Sequence, residues 1–216
     1  FANELAMAAE DKHLNVQEII DACNAGYPRN SIPIPGPVSG YCLGKDPYLL
    51  GQALDQTDKS PAPPDYLWTR ARQDNDGVVE HAAAQIAAHV AQLDLQDPHV
   101  LVCGLAFKEG VDDFRMSHSF DMMRALLAKL PRLNLSMYDP AVNLNRYTAI
   151  PEDLLPSART VTSTLEEALD AQADVVLIST PDACLRRLAG PGTLARDNPK
   201  KRQNPLLVYD CWNLWN

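Results

Sequence analysis

The residues best equipped for covalent chemistry lie in one short stretch, SGYCLGKDPYLL, at positions 39–50. Cys42 stands three residues before Lys45 and four before Asp46. Asp46 and Pro47 read as the N-cap and first position of a helix through Tyr48, Leu49 and Leu50. A thiol near a helix N-terminus and a Lys ammonium sits where the thiolate is favoured, and the thiolate is the nucleophile. Spacing leaves the direction of the side chain open, so a buried, inert Cys42 is the competing reading. The other four cysteines, Cys23, Cys103, Cys184 and Cys211, fall in predicted helices or strands and read as structural, Cys23 as a core residue.

Positioning such residues requires a scaffold, and the sequence predicts one. Residues 1–26 read as two helices; in the second, Asn15 is the N-cap with Glu18 as its reciprocal partner, Val16, Ile19, Ile20 and Cys23 recur at helical spacing, and Gly26 closes it. From Tyr27 to Gly51, Pro33, Pro35 and Pro37 forbid a helix and predict a rigid, shaped loop. The Pro-rich tract from Asp55 to Asp65 reads as a connection. In the long helix that follows, Val79, Ala83, Ile86, Val90 and Leu93 form a seam that suits a core-facing helix, a spacer between domains or a dimer surface.

From His99 the pattern alternates. Strands are predicted at 99–107, 133–139, 173–180 and 205–210, with a shorter one near Arg159–Thr162, and helices at 119–130, 164–171 and 182–188. The fold class is therefore α/β: a helical segment at 1–96, then a doubly wound, mostly parallel Rossmann-like sheet at 97–216. Ligands of such sheets sit beyond the carboxyl ends of the strands, which here carry Phe107-Lys108, Asp139-Pro140, Thr180-Pro181-Asp182 and Asp210. That rim points to a nucleotide-like ligand, with a sheet that is scaffold alone as the alternative. The first strand runs into Gly104-Leu105-Ala106-Phe107-Lys108 and not into GxGxxG, so the dinucleotide fingerprint is missing.

Composition narrows the class. The chain has 216 residues, a formal net charge of −9, 46% hydrophobic residues, 17 Pro and 10 Gly. An acidic mean field argues against a duplex-binding surface, so no nucleic-acid partner is expected. No stretch of 18 apolar residues is present, and no membrane partner is expected. Five cysteines without CxxC spacing indicate neither a disulfide framework nor a zinc ribbon, and read as thiols of a cytoplasmic protein. The opening Phe1, already within helix-like sequence, reads as the interior of a longer chain.

PGPVSGYCLGKDPYLL at 35–50, GLAFKEGVDDFRMS at 104–117, SMYDP at 136–140 and FANELA at 1–6 resemble, in order, motifs of the nucleotide-sugar 6-dehydrogenases. These are the PG…GGxCxxKDxxxL loop, the GLAFKxxxDDxRxS segment, the YDP segment and the end of the central helix. The resemblance covers essentially the whole chain. It implies NAD-dependent oxidation of the C6 alcohol of a UDP-sugar to a carboxylate, as a precursor for polysaccharide synthesis, through a thiohemiacetal and a thioester on Cys42. By the same resemblance Asp46 positions water, Lys45 and Arg115 face NAD, and Phe107 and Lys108 contact the nucleotide sugar. Pro35, Gly36, Ser39 and Gly40 supply loop contacts to it, and Arg29 crosses a homodimer to a neighbouring substrate. The sugar stays open among UDP-glucose, UDP-N-acetylmannosamine and UDP-N-acetylgalactosamine types, with GDP-mannose a less favoured alternative.

Three departures qualify what the resemblance implies. Ser39-Gly40 stands where the family has two glycines, Asp210-Cys211-Trp212-Asn213 replaces D-x-R-N, and the NAD-binding half with its general-base Glu is missing from these residues. The chain by itself is thus expected to bind nucleotide sugar weakly without turning it over. The alternative is a non-catalytic nucleotide-sugar-binding module, to which Ser39 and Trp212 lend weight; an unrelated cysteine-nucleophile transferase is a third reading.

Overall fold

Five short strands, β1 (His99–Cys103), β2 (Asn134–Tyr138), β3 (Ala158–Thr162), β4 (Val175–Ile178) and β5 (Leu207–Asp210), form one sheet in the order β3-β2-β1-β4-β5. Every pairing is parallel, with Val100 of β1 opposite Leu135 on one side and Val175 on the other. These elements come from a computed structural model that describes residues 1–54, 65–188, 190–194 and 207–214. Most of the Pro-rich connection, 55–64, and the first two residues of the last predicted strand lie outside them.

Along the central strands alternate side chains go to opposite faces, the two-residue period of a pleated strand. Val100, Val102, Leu135, Met137, Val175 and Leu177 enter one buried cluster. Leu101, Cys103, Tyr138, Val176 and Ile178 enter another. Helix α5 (His118–Lys129) covers the first face, while α6 (Leu165–Asp170) and α7 (Ala183–Arg186) cover the second. With both faces covered, β1 and β4 are buried along their whole length, which is why their sequences are apolar without alternation. Strand order reverses between β1 and β4, and a crevice at such a switch point is where doubly wound sheets bind ligands.

The helical part consists of α1 (Ala2–Glu10), α2 (Val16–Asn24), α3 (Asp46–Leu54) and α4 (Leu67–Gln92). Asn15 caps α2, accepting the Gln17 and Glu18 N–H groups at 3.0 and 3.5 Å. The reciprocal contact runs from the Asn15 side-chain amide to Glu18 at 3.2 Å. Gly26 follows α2 with φ +67°. Cys23 is exposed and not a core residue: of α2 Ile20 alone is buried, and the burial of that face does not extend one turn on to Cys23. Cys184, also assigned a structural place, is exposed on the short α7. In α4, Ala83, Ile86 and Val90 are buried and Val79 packs against the same cluster. The seam faces α5 and the sheet, as a core-facing helix should. No helix among the described residues is long and apolar enough to cross a membrane.

Candidate active site

The loop that carries Cys42 is held by backbone hydrogen bonds to two helices. Asn75, buried on α4, accepts the Val38 N–H and donates to the Val38 carbonyl, both at 2.8 Å. Arg72 donates to that carbonyl at 2.7 Å. Asn3 of α1 accepts the Gly36 N–H at 2.8 Å and donates to Asn75 at 3.2 Å. None of these three residues was singled out from sequence, although the α4 seam extended four residues upstream of Val79 lands on Asn75. Pro35, Gly36 and Pro37 are buried under this clamp.

Beyond Val38 the loop crosses onto the segment that follows β1. Gly40 donates to the Met116 carbonyl at 3.1 Å. Its φ is +103°, and a Cβ there would fall 2.7 Å from the Phe107 ring, so the backbone lies directly on Phe107. The Cys42 carbonyl accepts the Lys45 and Asp46 N–H groups at 3.2 and 2.9 Å. Helix α3 therefore begins at Asp46, and the Tyr48 and Leu49 N–H groups return to the Lys45 carbonyl at 3.1 and 3.0 Å. Asp46 is thus the first helical residue and not the cap; its carboxylate binds the Lys45 ammonium at 2.5 Å. That hydrogen bond first, and then the charges of Asp46, Cys42 and Tyr41, raise the Lys45 pKa and keep the ammonium charged beside the thiol. Cys42 is exposed, which overturns its reading as a buried, inert residue.

Arg115 comes to the same loop from the far motif. Its guanidinium grips Asp113 through Nε at 2.9 Å and Nη2 at 2.6 Å. It lies 4.0 Å from the Tyr147 ring centroid and 5.3 Å from that of Tyr41, the residue before Cys42. The hydrogen bond to Arg115 holds the Asp113 carboxyl below the usual carboxylate range. Lys108 points elsewhere: with Ala106, Asp112, Asp139, Thr180 and Asp182 it lines a cavity of about 430 Å³ at the carboxyl ends of β1, β2 and β4. Among the described residues Lys108 has no ion-pair partner, and its ammonium lies 5.5 Å from the Phe107 ring centroid. Arg29 is not joined to the loop. Its contacts are with Tyr27, a hydrogen bond of 2.6 Å and a stacking distance of 5.4 Å.

Each rim acid accepts backbone N–H groups. Asp139 accepts from Leu105 at 2.7 Å, Ala106 at 3.1 Å and Ala141 at 2.8 Å. Asp182 caps α7, and Asp210 accepts from Trp212 at 3.0 Å and from Leu214. Asp139 and Asp210 shape turns, whereas Asp182 caps with Oδ1 alone and its buried Oδ2 has no hydrogen-bond partner among the described residues, so the cavity holds one unpaired cation, Lys108, and one uncommitted carboxylate oxygen. Gly104, with φ +87°, brings the ends of β1 and β4 so close that a Cβ would stand 1.8 Å from the Thr180 carbonyl oxygen. Because Asp139 occupies the Leu105 and Ala106 N–H groups, this turn does not fit the pyrophosphate of NAD, which needs free backbone donors. On the Cys42 side the cations Lys45 and Arg115 are paired with Asp46 and Asp113. Ser39, which stands where the family motif has a glycine, hydrogen-bonds the His118 ring at 2.8 Å; His118 escaped the sequence reading because its partners are 61 and 79 residues away.

Comparisons with known proteins identify the family and the fold. Residues 101–216 match the UDP binding domain of the UDP-glucose/GDP-mannose dehydrogenase family. The chain is 31% identical over 147 residues to a UDP-N-acetyl-D-mannosamine dehydrogenase of Methanococcus vannielii, covering 68% of this chain and 32% of that protein. It is 30% identical over 128 residues to an NDP-N-acetyl-D-galactosaminuronic acid dehydrogenase of Ralstonia solanacearum, covering 59% of this chain and 28% of that protein. Among solved structures, the UDP-N-acetyl-mannosamine dehydrogenase of Staphylococcus aureus superposes with a TM-score of 0.67 at 25% identity, covering 99% of this chain and 47% of that one. A UDP-D-ManNAc dehydrogenase from Pyrococcus horikoshii shares the fold, with a TM-score of 0.70 at 24% identity over the whole of this chain and 44% of that one. The chain spans about a third of the length of the curated relatives it matches. It belongs to the UDP-glucose/GDP-mannose dehydrogenase family, whose UDP binding domain it carries.

Proposed function

We propose that this chain is the nucleophile-bearing and nucleotide-sugar-binding part of an NAD-dependent UDP-sugar 6-dehydrogenase. The observation that carries this reading is the docking of the exposed Cys42 loop onto Phe107, the residue next to Lys108, and beside Arg115. The Lys108 ammonium binds the diphosphate of the nucleotide sugar at the switch-point cavity, Phe107 packs against it, and Pro35, Gly36, Ser39 and Gly40 shape the wall facing the sugar. Once the C6 alcohol has become an aldehyde, the Cys42 sulfur adds to its carbon while a proton passes to the oxygen, giving a thiohemiacetal. Loss of a hydride and that proton leaves a thioester, and water positioned by Asp46 releases the carboxylate and the free thiol. NAD, when bound, supplies the acceptor for each hydride. The residues here contribute Lys45 and Arg115 to one side of that cofactor.

The reading includes a division into a helical part, 1–96, and a sheet part, 97–216, and a cytoplasmic homodimer in which Arg29 reaches the partner's substrate. Leu49, Leu50 and Leu54 on α3 and Leu67 and Trp68 on α4 are exposed, an apolar surface that supports a second subunit. Calorimetry tests the assignment. The chain is expected to bind a UDP-sugar weakly, to lose that binding on Lys108→Ala, and to form no uronic acid by itself. Absence of UDP-sugar binding would refute the nucleotide-sugar site, and tight NAD binding or turnover would refute the division of labour. A second reading, a non-catalytic binding module, draws on Ser39 and on Trp212, whose ring covers Gly36. Iodoacetamide separates the two: a nucleophilic Cys42 is alkylated faster than the exposed Cys23 and Cys184, and equal rates favour the module.

A further inference from the structure

Two residues that depart from the family motifs, Ser39 and Trp212, converge on one backbone carbonyl at the end of β4. The Ser179 oxygen lies 2.9 Å from His118 Nε2 and accepts the Trp212 indole N–H at 2.6 Å. A carbonyl can only accept, so Nε2 carries the proton, and Nδ1 of the neutral ring is an acceptor. Nδ1 is 2.8 Å from Ser39 Oγ, which makes the Ser39 hydroxyl the donor, while Oγ accepts the His118 backbone N–H at 3.2 Å. Burial first, and the charge of Arg72 after it, hold the ring neutral, with its pKa pushed down to about 4. On the other side the Trp212 ring lies so close over Gly36 that a Cβ would fall 2.6 Å from it. The loop is therefore tied to the Ser179 carbonyl twice, at Gly36 through Trp212 and at Ser39 through His118. A glycine at position 39 would leave a buried imidazole nitrogen without a donor, a cost that the serine hydroxyl removes.

We propose that His118 is a positioning residue, which with Ser39 and Trp212 fixes the Cys42 loop to the switch point between β1 and β4. Its catalytic meaning rests on the reading of Cys42 as the nucleophile; the tether itself does not. Hydrogen exchange of the 34–44 peptide tests the tether. Ser39→Ala and His118→Gln are each expected to speed its exchange about five- to tenfold, the loss of one buried hydrogen bond. The double variant is expected to go no faster than either, and Ser39→Thr, which keeps the hydroxyl, to match the native chain. NMR of the histidine ring nitrogens is expected to find His118 protonated on Nε2, with Ser39→Ala shifting Nδ1 alone, a signature that a merely space-filling ring would not give. Unchanged exchange in Ser39→Ala, additive effects in the double variant, or a proton on Nδ1 would overturn the proposal. Should His118→Gln fail to fold, Ser39→Ala with its threonine counterpart decides the question. Failure of the nucleophile assignment shows separately, as equal alkylation of Cys42, Cys23 and Cys184 with the exchange pattern intact.

Discussion

A carboxylate whose oxygens are both taken by backbone N–H groups organises a turn and is not free to meet a ligand, and Asp139 is in that position. Asp139→Asn puts an amide NH₂, itself a donor, against those N–H groups. The expected cost is about 2–3 kcal/mol of stability, read as a lower urea midpoint, with weaker UDP-sugar binding as the β1 turn loosens. An unchanged midpoint would contradict the assignment. The sequence marked Asp139 as a strand-end acid, but its N–H partners on Leu105 and Ala106 are 34 and 33 residues distant and were invisible to spacing. Cys23 shows the opposite failure. Its helical spacing was read correctly, yet periodicity does not say whether a neighbour covers that face.

The elements were more legible. Apolar strands separated by helices imply a parallel sheet covered on both faces, and the order β3-β2-β1-β4-β5 has that form. The short Ala158–Thr162 strand also lies where a hidden one was expected. What spacing could not supply is how tightly the ends of β1 and β4 meet. Gly104→Ala would combine a left-handed φ with a Cβ 1.8 Å from the Thr180 carbonyl oxygen. Because that oxygen belongs to the backbone, the strands must part, and a loss of more than about 3 kcal/mol is expected. Thermal unfolding checks this, and a Tm near that of the native chain would sink it. The seam of α4 likewise left three roles open until α5 was seen packed against it.

For the whole molecule, acid stability follows from two buried imidazoles. Burial, with Arg159 nearby, lowers His99 to about 4, and burial, with Arg72, lowers His118 to about 4. Both are neutral in the fold, whereas the unfolded chain takes up their protons below the ordinary value of about 6.5. Their contribution is therefore fully present above pH ~6.5 and fades as pH falls toward 4, by up to about 1.4 kcal/mol per pH unit for each histidine. Asp139 and Asp210, whose carboxyls burial lifts, oppose part of this loss. Urea midpoints that do not fall between pH 7 and 4.5 would contradict the prediction. By itself the sequence determined the sheet, the order of its elements, the Cys42 and Lys108 motifs and the family, because periodicity and motif are local properties of the chain. Tertiary structure alone decided that Cys42 is exposed, that Asp139 and Asp210 serve the backbone, and that Ser39, His118 and Trp212 meet at Ser179. Those outcomes depend on hydrogen bonds between residues far apart in sequence, whose partners only folding brings within reach.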